Sequence, residues 1–145
     1  MYRERPLQVQ SRVGKDGMSD YYYYNPYTGY GYKFSEHARL RIWERFKTLD
    51  IEREFKIFHN FMVSETVDSI LQDLEIETEI AIKNCSTNKV YIIVLTDNLD
   101  ILLKTVYRDS YDWRFRPNDG STMYKVYKDG TLKKWKESLE SPFHW

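Results

Sequence analysis

The chain has 145 residues, 41% of them hydrophobic and 30% charged, which suits one globular domain burying roughly two-thirds of its unfolded surface. The single cysteine, Cys85, excludes an internal disulfide and a cysteine-rich zinc site. No apolar run reaches the length of a membrane span, the start MYRERPLQVQ does not read as a signal peptide, and a cytoplasmic protein is the expectation.

A formal net charge of zero hides an uneven distribution. Residues 64–83 hold six acidic side chains and one lysine, whereas residues 104–136 hold nine basic and four acidic ones. This segregation leaves room for a basic face, although a solvated surface explains it as well. Aromatic content is 17%, with 13 tyrosines, which points to amphipathic sheet surface rather than a purely aliphatic core.

Residues 1–26 read as an irregular, tyrosine-rich arm. Gly14 to Gly17 is a turn signal, and the run Tyr21–Tyr24 stops at Asn25-Pro26. The arm's tyrosines suit base stacking, the covering of a sheet edge or a protein partner. Residues 27–145 read as a single domain. Tyr27 to Phe34 is a glycine-broken strand, and two helices are predicted over 34–48 and 50–62. Ser35 is placed to cap the first, with Glu36 at the positive end of its dipole. His37, Arg41 and Arg45 recur every four residues, each step advancing about 40° past a full turn, so they form one drifting stripe. Ala38, Ile42 and Leu49, with Phe46 or Trp43, make the apolar side. Asp50 caps the second helix, where Ile51, Phe55, Phe58 and Met62 share one face and His59 lies near its Phe55 edge.

Ser64 opens a short third helix with Val67, Ile70, Leu71 and Leu74 toward the core. Residues 75–83 alternate as a half-exposed strand, with Ile76, Thr78, Ile80 and Ile82 on one side and Glu75, Glu77, Glu79 and Lys83 on the other. Residues 90–95 suit a central strand and 101–107 the next. Tyr111, Trp113 and Phe115 alternate with Asp112, Arg114 and Arg116, and the turns at 117–120 and 128–130 predict hairpins. The order is that of an α+β domain, two or three helices packed on a twisted antiparallel sheet drawn mainly from 75–136.

The string Phe34-Ser35-x-His37-Ala38-x-x-Arg41-x-x-x-Arg45 resembles the opening helix of barnase–EndoU–colicin–RelE domains. With Phe55 to His59 (FKIFH) it is most similar to the RegB-type phage endoribonucleases. The likeness covers under a third of the chain, and the chain's neutral charge departs from the basic balance common in RelE-type toxins. It implies a metal-independent endoribonuclease acting on single-stranded RNA in the host cytoplasm. His37 would be the base, Arg41 the phosphate grip, and His59 the acid or its orienting partner, with no metal or cofactor. Arg45, Lys104, Tyr107, Arg108, Arg114 and Arg116 are the candidate RNA contacts. A plainer reading has His37 at a helix start, Arg41 and Arg45 paired with Glu44, Glu52 or Glu54, and His59 packed in the core. Under that reading the scaffold is a non-catalytic phage or mobile-element protein that binds a host or defence component, with the tyrosine arm as contact. Three histidines without H-E-x-x-H, P-loop, Rossmann or G-x-S-x-G patterns leave other chemistries unsupported.

Overall fold

The computed structural model describes residues 10–13, 19–48, 50–108 and 122–136. In chain order these form β1 (Gln10–Val13), β2 (Ser19–Asn25), β3 (Tyr30–Phe34), α1 (Glu36–Phe46), α2 (Ile51–Met62), α3 (Glu65–Gln72), β4 (Glu79–Asn84), β5 (Lys89–Leu95), β6 (Asp100–Arg108), β7 (Thr122–Val126) and β8 (Leu132–Lys136). The class is α+β, as predicted. The strands form one sheet in the order β1-β2-β3-β6-β5-β4-β7-β8. The wholly antiparallel sheet is corrected, because β3 pairs with β6 in parallel, as does β4 with β7. Between β3 and β6 the chain runs through three helices and a hairpin, and a connection of that length allows a parallel return that a short turn forbids.

The N-terminal arm is corrected as well. Within residues 1–26, Gln10–Val13 and Ser19–Asn25 are strands, with β2 hydrogen-bonded to β3 from Tyr22↔Lys33 to Asn25↔Tyr30. The pleat sends Tyr21 against Phe34 and Phe55, ring centroids 6.5 and 6.1 Å apart, and Tyr23 onto His59. Four consecutive tyrosines carry no apolar–polar alternation, so the sequence pattern conceals a strand whose two faces look alike.

The first two helices are slightly shorter than the predicted 34–48 and 50–62. Ser35 accepts from Ala38 N at 3.0 Å and Asp50 from Arg53 N at 3.1 Å, so both predicted caps are made. Lys47 ends α1 in the left-handed region at φ 54°, its N–H returning to Trp43 O at 3.1 Å. Ser64 precedes α3 without a side-chain cap bond. The apolar faces meet the sheet through a chain of rings. Phe34 of β3 lies 4.9 Å from Phe55 and 5.4 Å from Phe58, which in turn lies 5.5 Å from Tyr91 of β5.

The strand predicted from Glu75 begins only at Glu79. Glu77 adopts φ 66°, which breaks an extended chain, and Ile76 is left 48% exposed rather than in the core. Lys83, predicted on the solvent side, is buried, because the sheet's other face carries its own cluster of Ala81, Val90, Ile92 and Met123. The hairpin at 128–130 forms between β7 and β8. The predicted strand at 111–116 and the turn at 117–120 lie outside the described residues.

Candidate nucleic-acid interface

The site follows from where β3 stops. Its last pairing is Phe34↔Leu103, while β6 runs on to Arg108, so among the described residues the β3-side edge of β6 beyond Leu103 has no strand neighbour. Bare edge carbonyls need partners, and α1, beginning two residues later, lies along this edge. Ser35 N donates to Leu103 O at 3.1 Å and Ser35 Oγ to Lys104 O at 3.2 Å. Further along, Arg45 Nη1 donates to Val106 O at 2.6 Å and lies 3.4 Å from Thr105 Oγ1. A bulge in β6 opposite Ile92/Ile93, where the register skips Lys104, re-aims this stretch.

Arg45, at the far end of the stripe, is thereby seated in a seam between α1 and β6. His37 is exposed at the helix start, and Arg41 Nε donates to its Nε2 at 3.3 Å. Arg41 Nη1 also pairs with Glu44 at 2.7 Å, both side chains well exposed, which is part of the plainer reading of the stripe. The Arg45 guanidinium lies 4.1 Å above the Tyr107 ring, a cation–π contact that holds the far end of the seam. Arg108 stands 5.1 Å over Phe46. Lys104 is exposed and forms an ion pair with Glu79 at 2.9 Å. Arg45 and Tyr107 thus meet in the seam with Arg108 at its end, and Arg41 and His37 stand one and two turns earlier on α1, whereas the Lys104 ammonium is held by a carboxylate of β4. Arg114 and Arg116 lie outside the described residues.

His59 is not on this surface. It is fully buried in α2, with Tyr23 and Tyr32 edge-on to it at 5.1 and 4.9 Å. Asn25, equally buried, fixes its tautomer. The Asn25 Oδ1 accepts from Tyr27 N at 2.8 Å, so the Nδ2 amide 3.2 Å from His59 Nε2 is the donor. Nε2 is then the acceptor and the ring proton sits on Nδ1. Burial lowers the His59 pKa to about 4, partly offset by a hydrogen bond with the Asn60 side chain. A neutral imidazole enclosed by rings does not meet a phosphodiester, and this burial removes the expected acid from the expected pair.

The sequence reading did not single out Asn25, because Asn-Pro registers there only as a turn. Thr105, beside Arg45, carries no sequence signal of its own. Among the described residues no group of three or more His, Cys, Asp or Glu side chains is placed to hold a metal ion, and no helix is long and apolar enough to cross a membrane. Comparison of the chain with protein-family models, with curated proteins and with solved structures finds no match.

Proposed function

We propose that the α1–β6 seam is an RNA-binding site and that the protein is a metal-independent endoribonuclease of RelE/RegB-like type with a single histidine at its centre. The observation that carries this reading is the contact of exposed His37 with Arg41 on α1, in the turns just before Arg45, which sits on Tyr107 in the seam. Neutral His37 takes the proton of a ribose 2′-OH on Nε2, the Arg41 Nε–H that this nitrogen accepts in the free protein turning instead to a phosphoryl oxygen, and the 2′-oxygen attacks phosphorus. The P–O5′ bond breaks, the leaving 5′-oxygen takes a proton from water, and a 2′,3′-cyclic phosphate remains. The Arg41 N–H groups not engaged by His37 and Glu44 face the charge that develops on the phosphoryl oxygens. Arg45 and Arg108 neutralise neighbouring phosphates, and Tyr107 stiffens the seam from below.

Purified protein should cleave single-stranded RNA in the presence of a chelator, and His37→Ala should slow this at least ~100-fold. Arg41→Lys should impair it too, because a point charge does not reproduce the guanidinium fork. Cleavage that persists in His37→Ala, or that stops with the chelator, refutes the mechanism. The burial of His59 favours a second reading, a binding protein on the same scaffold. Under it RNA is not cut, and the activity lies in a protein–protein surface. Deleting the arm does not separate the two readings, since β3 (Tyr30–Phe34) is an inner strand and Tyr21 and Tyr23 pack on the core.

A further inference from the structure

Four of the large apolar side chains that remain exposed gather at one end of the sheet, away from the seam. Tyr24 is 52% exposed, Tyr27 48%, Ile76 48% and Leu99 46%. Backbone bonds tie their segments together. Tyr24 pairs with Gly31, Gly31 N donates to Leu99 O at 3.0 Å, and Glu77 N donates to Leu95 O at 2.7 Å. The Tyr30 hydroxyl donates to Leu71 O at 3.2 Å, holding the turn at 25–30 against the end of α3. Glu77 at φ 66° and Leu99 at φ 62° sit in left-handed turns, so Ile76 and Leu99 are presented on tight, hydrogen-bonded loops.

With about half of each side chain open, the four together expose on the order of 400 Å² at this end of the sheet, an area comparable with functional patches on monomers. Its rim is acidic. Glu75, Glu77 and Asp97 are exposed, and among the described residues no ion pair engages them. The exposed pair Leu40 and Trp43 on α1 differs in this respect, since Arg41, Glu44 and Lys47 surround it with both signs and select no partner. An unpaired acidic rim repels RNA and attracts cations. A standard interface takes about 800 Å² from each partner, so a patch of this size with its rim suits a short segment better than a whole domain face.

We propose that this end of the sheet, formed by Tyr24, Tyr27, Ile76 and Leu99 with Glu75, Glu77 and Asp97, docks a basic, amphipathic peptide segment of another protein. The surface is separate from the RNA seam, and the proposal stands whether or not the seam cuts RNA. Aliphatic or aromatic anchors of the segment fill the patch, and its lysines or arginines meet the carboxylates.

A display library of random peptides of about 12 residues, selected on the whole protein, tests this. Enrichment should favour peptides combining Lys or Arg with large apolar residues. A synthesised winner should bind about tenfold more weakly to Ile76→Ser/Leu99→Asn, whose exposed positions leave the core intact and whose Asn suits the left-handed turn. Glu75→Gln/Glu77→Asn should weaken it about threefold at low salt and have little effect at high salt. His37→Ala should bind it unchanged, and the patch variants should leave any RNA cleavage unchanged, so loss of one reading does not carry the other with it. Failure to enrich, enrichment of acidic peptides, binding indifferent to both patch variants, or loss of oligonucleotide binding in Ile76→Ser/Leu99→Asn overturns the proposal.

Discussion

The burial of His59 makes a quantitative prediction about acid. In the unfolded chain its imidazole takes up a proton near 6.5, and in the fold burial holds it to about 4. The folded state therefore disfavours the cation. Stability is complete well above pH 6.5, where both states are neutral, and falls as the unfolded chain alone becomes protonated. At pH 5.5 the loss is about 1 kcal/mol and at pH 4.5 about 2–3 kcal/mol, approaching about 3 kcal/mol below the folded pKa. Urea denaturation at pH 7.5, 6.5, 5.5 and 4.5, each compared with His59→Gln, isolates this contribution from that of the carboxylates. Glutamine keeps an oxygen for the Asn25 amide and does not titrate, so the pH-dependent difference between the two proteins should follow the values above. Proton NMR of the imidazole C2–H supplies the direct check. A His59 resonance titrating between pH 6 and 7, or a stability difference flat with pH, would falsify the burial argument and return His59 to the list of candidate acids.

Glu54 and Lys89 form a largely buried pair at 2.9 Å, so Glu54→Gln should cost about 3 kcal/mol in urea melts, whereas Glu54→Leu/Lys89→Met should recover most of it. Asn25→Ala removes bonds to His59 and to Tyr27 N and should destabilise by about 2 kcal/mol, with the His59 C2–H signal shifted as its acceptor loses a donor. Lys47→Gly should stabilise by about 0.5–1 kcal/mol, because its φ of 54° is a conformation glycine adopts without strain; a thermal scan showing a lower midpoint would refute the cap assignment. Arg45→Ala should both lower stability, by uncovering Val106 O, and reduce the salt slope of RNA binding by about 0.7, one phosphate's share for a single strand.

Much of the helical layer is legible in the sequence because its signals are local. Ser35 and Asp50 announce their helices, and the spacing of Phe55, Phe58 and Met62 fixes which side of α2 enters the core. The stripe of His37, Arg41 and Arg45 is equally local, and its common face follows from helix geometry alone. What the stripe faces is not. That depends on β3 ending at Phe34 while β6 continues to Arg108, a length mismatch between strands 69 residues apart at their parallel pairing Lys33↔Leu102 and beyond the reach of any spacing rule. Strand neighbours are long-range choices, so the parallel pairs β3–β6 and β4–β7 were invisible, as was the burial of Lys83 on a sheet that buries side chains on both faces. His59 shows the same division most sharply. Its position on α2 was readable, but whether a histidine beside an apolar stripe meets solvent or core is decided by what packs over it. Tyr23, Tyr32 and Asn25 come from strands 27 to 36 residues earlier. Sequence determines which side chains a helix offers; only the tertiary arrangement determines which of them water, and therefore a substrate, is allowed to reach.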